Sequence, residues 1–313
     1  MSRSLGKKIA YGFTMLKAEL SGKVDYWHLR ERPLLPEEVS PEIYYLDMKG
    51  KGFYPGEMEN GVPVFYLDGK IRCFFPITIL NYGLGLLNRL HDGEDVQDEL
   101  EKVLVYIMEH QDEDGAWRFE VPEGTMHEMA GGKVSGMTQG LAISFLTRCV
   151  AIGVLTRERA EPRIEAAKKK MLSQSCVSYI DGEPFIEEFN VPGASILNGS
   201  IFALLGLYDY ENFVGEKEDF AIFEAALRTL LPRFRFGSWS YYNLQKTLCS
   251  KFYQQLHVDL MTVLEQLTGE GIYSSYRRIW KRGLRFSFVF ILLKAGQKVF
   301  QIRKWSMNAS SHS

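Results

Sequence analysis

The residues best suited to chemistry lie between Arg235 and Leu267, in RFGSWSYYNLQKTLCSKFYQQLHVDLMTVLEQL, where Tyr242 and Tyr253 flank a polar turn that feeds an apolar helix. Three earlier loops share the texture of its first part, a glycine among aromatics and acids: YLDGKIRCFF, QDEDGAWRFEVPEG and YIDGEPFIEEFN. Aromatic rings stack on the apolar CH faces of sugars, whose hydroxyls need amide and acid partners. Trp117, Trp239, Tyr179, Tyr241 and Tyr242 are candidate platforms, with Gln139, Asn198, Asn243 and His257 as polar partners. In a chain with 16 tyrosines and 20 phenylalanines a single aromatic is ordinarily a packing residue. Their concentration in these loops is what points to carbohydrate.

The elements that must position these residues repeat. Apolar, small-residue-rich helices open near Pro76, Gly136, Ile196 and Gln254, a period of roughly 60 residues. The first three are each followed by a more polar helix and the fourth by a basic one beginning near Ser274. The second helices carry a 3.6-residue pattern: Val96, Leu100, Val103, Leu104 and Ile107 in the first, Phe220, Phe223, Leu227, Leu230 and Leu231 in the third. A helix apolar all round belongs inside and one with a charged back belongs outside, so each unit is an inner–outer hairpin. The predicted fold is mainly α, an incomplete (α/α)4 toroid of four helical hairpins over residues 76–285. A lead-in arm and linker (1–40), a small antiparallel β element (41–75, from the runs IYYL, VPVFYL and IRCFF) and a basic amphipathic tail (286–313) complete it. The loops before the inner helices fall at one end of such a ring, where helix amino termini favour an anionic ligand.

Composition sets outer limits. At 313 residues, 46% hydrophobic and 24% charged, the chain is globular, and its net charge of −2 excludes general attraction to nucleic acid. Cys73, Cys149, Cys176 and Cys249 are far apart, with no His at ligand spacing, so neither zinc site nor disulfide framework is indicated. No metal at the catalytic centre and no cofactor are expected. The amino terminus lacks the apolar core of a signal peptide and reads as an amphipathic helix of a cytoplasmic protein. Residues 276–305 carry nine Lys and Arg and no acid, a pattern open both to a peripheral membrane contact and to an ordinary solvated last helix.

FPITILNYGLG, QDEDGAWRF, SGMTQGLAIS, VPGASILNGSIFALLGLYD, GSWSYYNL and FYQQLHVDL, in that order, resemble the carboxy-terminal catalytic domain of the D-glucuronyl C5-epimerases over about residues 43–283. These enzymes convert glucuronate to iduronate within heparosan-type polymers. The resemblance implies that Tyr242 and Tyr253 are the two-base proton-transfer pair with Glu188 close by, a substrate contact for His257, a glucuronate-containing glycan as partner, and a homodimer. Epimerisation needs acid/base groups on both faces of the sugar. Because a free phenol ionises near pH 10, a tyrosine base needs a neighbouring cation, for which Lys246, Lys251, Arg233 and Arg235 are candidates, and Glu188 is an alternative base on one face.

This chain departs from the family pattern. Phe189 stands where the family has a third tyrosine, and Tyr242-Asn243-Leu244-Gln245-Lys246 replaces Tyr-Asp-Leu-Arg-His. Gln245 therefore takes the place of an arginine expected to hold the substrate carboxylate, with Lys246 as its nearest substitute. Two other functions fit the same residues: a uronate lyase, which shares proton abstraction at C5, and a silent carbohydrate-binding protein. A glycoside hydrolase fits less well, since its paired acids would have to come from Asp181, Glu187 and Glu188 in one loop.

Overall fold

A computed structural model describes residues 25–67, 69–119, 134–189, 194–290, 292–294 and 296–297. The expected amphipathic helix at the amino terminus and the end of the basic tail lie outside the described residues. Four inner helices, α1 (Pro76–His91), α3 (Gly136–Ala151), α5 (Leu197–Val214) and α7 (Lys251–Thr268), alternate with four outer ones, α2 (Gln97–Glu109), α4 (Arg157–Met171), α6 (Asp219–Leu230) and α8 (Gly271–Leu284). The inner helices pack in the order α1–α3–α5–α7, and each outer helix packs on the inner helix before it.

Local chemistry explains the boundaries. Ser135 Oγ accepts the Thr138 N–H at 3.1 Å and starts α3. Ser250 Oγ accepts the Tyr253 N–H at 3.3 Å, so α7 opens at Lys251, three residues before the expected Gln254. That N-cap sets Tyr253 in the first turn of the helix. Small residues bring the inner helices together: a Cβ on Gly206 would overlap the Cα and carbonyl of Gly140, so α5 and α3 touch backbone to backbone. The apolar stripe of α2 is buried as patterned, whereas Phe220 and Phe223 on α6 are only half-buried.

The β structure differs from the expected single element. β1 (Met58–Glu59) pairs with β2 (Val62–Pro63), and β3 (Phe65–Leu67) with β4 (Ile71–Cys73), both antiparallel. IYYL forms none of these strands. Tyr44 and Leu46 are fully buried and Leu46 makes an isolated bridge to Pro33. Two further hairpins occupy the loops before α5 and α7: β5 (Val177–Ile180) with β6 (Glu183–Ile186), and β7 (Arg235–Phe236) with β8 (Trp239–Ser240).

The segment from Tyr26 to Gly52 ties the row together. Near the carboxyl ends of the inner helices, Gly52 O accepts from Arg89 of α1 at 2.7 Å, and Tyr45 Oη donates to Asp209 of α5 at 2.6 Å. Gln266 of α7 donates to Leu34 O at 3.1 Å. Arg148 of α3 lies 5.0 Å from the rings of Tyr44 and Tyr45 and pairs with Asp209 at 2.7 Å, with both partners buried. Near the amino ends, Trp27 packs on Phe75 beside α1 and His28 on Phe252 of α7, with ring centroids 5.5 and 5.0 Å apart. One extended segment thus touches both the first and the last inner helix.

Candidate active site

Glu188, Tyr242 and Tyr253 come together from three separate stretches. Glu188 follows β6, where its neighbour Glu187 is fixed: the Glu187 carboxylate accepts from Ser178 Oγ at 2.5 Å and Ser195 Oγ at 2.7 Å, and its carbonyl accepts from Gly136 N at 3.1 Å. The Glu188 side chain lies over the first turn of α5 at Gly199, where an added Cβ would overlap both its stem and Oε2. Tyr242 is held at the same helix end, its carbonyl accepting from Leu197 N at 3.1 Å and its N–H donating to Thr247 O at 2.7 Å. Tyr253 faces it from the first turn of α7, with ring centroids 4.7 Å apart at 59°.

Electrostatics separate the roles of the three. Glu188 Oε2 is buried without a hydrogen-bond partner, and desolvation alone pushes its carboxyl up from 4.5 to about 7. Burial pushes Tyr242 well above its ordinary value of 10.0, with the Glu188 carboxylate next in effect; Tyr253 is also raised, by burial and then Glu188. The two phenols are also among the influences on each other. None of the expected cations is among the main influences on either phenol. Arg233 pairs with Asp181 at 2.5 Å, Arg235 donates to Gly237 O at 2.8 Å, and Lys246 and Lys251 are exposed.

Several of the expected substrate contacts are buried. Trp117 and Trp239 offer no face to a sugar: they are 2% and 1% exposed, and their indole N–H groups donate to Ile107 O at 2.8 Å and Cys249 O at 3.2 Å. His257 and Gln139 are wholly covered. His257 Nδ1 lies 2.8 Å from Ser240 Oγ, and burial lowers the imidazole to about 3, so it is a neutral core ring. Asn198, in the first turn of α5, is nearly covered, with Oδ1 unpartnered. Tyr241 is half-buried against Phe236 at 5.6 Å. Asn243 Oδ1 accepts Thr247 N at 3.2 Å and shapes the turn, whereas Gln245 and Lys246 are exposed, Lys246 at φ 61°. Tyr179 is 74% exposed on β5. Phe189, in place of the family's third tyrosine, packs on Phe119 at 5.3 Å.

Polar groups without partners concentrate at this end. Eleven buried side-chain polar atoms of the described residues lack a hydrogen-bond partner, and seven belong to Thr78, Thr138, Gln139, Glu187, Glu188, Asn198 and His257. These residues lie in the first two turns of the inner helices or in the loop before α5. Native interiors rarely tolerate such groups without a reason. One neighbour carries no signal in the sequence: His28, at the end of the short helical turn Tyr26–His28, lies edge-on to Tyr253 at 6.2 Å and bonds Asp25 at 2.7 Å.

A family model described as D-glucuronyl C5-epimerase C-terminus matches residues 111–282, more than half of the chain. "Uncharacterized protein MJ1128" of Methanocaldococcus jannaschii is 35% identical over 89 residues, which make up 28% of this chain and 29% of that protein.

Proposed function

The chain belongs to the D-glucuronyl C5-epimerase family, and on that premise we propose that it inverts C5 of D-glucuronate residues in a glycan to give L-iduronate. The observation that carries the reading is the meeting of Glu188, Tyr242 and Tyr253 at the amino ends of α5 and α7. The hairpin order and the bridging amino-terminal segment support an incomplete toroid with its mouth at this end.

The hydrogen at C5 is acidified by the adjacent carboxylate, and its removal leaves an enolate dianion that needs donors. Glu188, raised by burial to about 7, is the base, since a general base works best with its pKa near the working pH. The raised phenols are acids. Of the two, Tyr253, in the first turn of α7, is assigned as the acid, with Tyr242 packed against its ring. Two rings in contact leave no room for a pyranose between them, so the pair serves one face and Glu188 the other. Net inversion leaves Glu188 protonated and Tyr253 deprotonated, and exchange with water resets both.

The test is proton NMR of a non-sulfated glucuronate polymer and its N-sulfated form, incubated with the protein in D2O. Deuterium at C5 with new iduronate signals and intact chain length is expected. Absence of exchange in both polymers overturns the epimerase, and ultraviolet-absorbing unsaturated ends would identify a lyase.

A further inference from the structure

Beyond α8 the chain turns at residues 285–286 and is helical again over 287–290, 292–294 and 296–297. At about 100° per residue, Phe290, Lys294 and Gln297 fall on one side and Phe288, Val289, Leu292 and Leu293 on the other. The first side is docked. Phe290 stacks on Trp239 at 4.4 Å, while Gln297 accepts from Leu248 N at 3.1 Å and donates to Lys246 O at 2.7 Å. This grips the loop between Tyr242 and Tyr253.

The second side faces solvent. Phe286, Phe288, Val289, Leu292 and Leu293 are 58%, 63%, 51%, 55% and 45% exposed. Scattered apolar side chains on a surface are ordinary, but five within one short stretch, four of them on helical residues already docked by their other side, form a contact face. Lys281, Arg282 and Arg285 are exposed where the stretch begins, and no acid occurs from Gly271 to Ser313. A second copy on this face would bring two acid-free cationic segments together, whereas an anionic lipid surface neutralises them. No helix among the described residues is long and apolar enough to cross a membrane, so the geometry suits a helix lying on the surface.

We propose that this face docks on an anionic lipid bilayer, with Phe288, Val289, Leu292 and Leu293 at the acyl boundary and Lys281, Arg282 and Arg285 against headgroup phosphates. One helix diameter, about 10 Å, then separates the lipid from the loop that carries Tyr242. The inference is independent of the reaction assigned to that loop.

The test is flotation of the full chain with vesicles of phosphatidylcholine, with and without phosphatidylglycerol, alongside sedimentation to follow self-association. Binding to the anionic vesicles only, weakened by salt, is expected. Phe288→Glu/Leu292→Glu should reduce it about tenfold or more, with an unchanged melting temperature because both positions are exposed. Lys281→Gln/Arg285→Gln, which keeps the apolar face, should also weaken it and serves if the first variant misfolds. No flotation, equal flotation with neutral vesicles, or a self-associated species that the Phe288→Glu/Leu292→Glu variant dissolves would overturn the proposal.

Discussion

Glu188→Gln separates a catalytic carboxylate from a merely buried one, because the same substitution should move activity and stability in opposite directions. The Glu188 carboxyl rises from 4.5 to about 7 on folding, which at about 1.4 kcal/mol per pH unit corresponds to about 3 kcal/mol. Below pH 4.5 the group is protonated in the folded and the unfolded chain and costs nothing. As pH rises from 4.5 to 7 the unfolded chain releases the proton while the folded chain retains it, so stability falls. Above 7 the full cost is present. Glutamine carries no such term, and Oε2 has no hydrogen-bond partner to lose. Urea denaturation should show Glu188→Gln equal to the parent near pH 4 and up to about 3 kcal/mol more stable near pH 8. In the same protein, deuterium incorporation at C5 should fall about 10²- to 10⁴-fold, the usual contribution of a general base. The parent's kcat/KM should rise with pH through an acid limb near 7. Activity within tenfold of the parent, or a stability difference that does not open with pH, would refute the assignment of Glu188.

Three further outcomes follow from the geometry. Tyr253→Phe removes the proposed acid but leaves the base, so NMR in D2O should show deuterium entering glucuronate with iduronate formation down about 100-fold or more; equal loss of both would make Tyr253 the base. Trp117→Phe leaves the Ile107 carbonyl unpaired and should cost about 1–3 kcal/mol in denaturation, with KM for the glycan unchanged. Asp209→Ala strands Arg148 and the Tyr45 hydroxyl in the core, and a loss of about 3–5 kcal/mol is expected by denaturant titration.

Legibility in the sequence followed the physics that each feature obeys. The hairpin repeat was readable because helices buried on every side leave an unmistakable apolar run, and the charged backs of α2 and α4 identify the outer layer. The hairpin β5–β6 also has a local signal: Asp181-Gly182 between two β-rich runs is a turn pair, and both residues have positive φ, 55° and 88°. IYYL could not be resolved by pattern. A short apolar run with turn residues on either side suits a strand and an irregular buried segment equally, and here Arg148 lies over the rings of Tyr44 and Tyr45 while Asp209 accepts from the Tyr45 hydroxyl, outside any sheet.

Site residues were harder to read, because type and loop position do not reveal where a polar atom is satisfied. Trp117 and Trp239 share their loops' composition with the tyrosines. What makes them core is that Ile107 and Cys249 each present a carbonyl to an indole N–H, a tertiary fact with no local trace. The same logic runs the other way for Glu188. In the sequence it is half of an acidic pair with Glu187, and the two differ only in their surroundings. Glu187 receives two serine hydroxyls; Glu188 is laid against Gly199, a residue with no side chain to hold it. A carboxyl with one oxygen buried without a donor beside two raised phenols is costly to folding, and a chain would shed it by a single change to glutamine unless the proton it carries were in use.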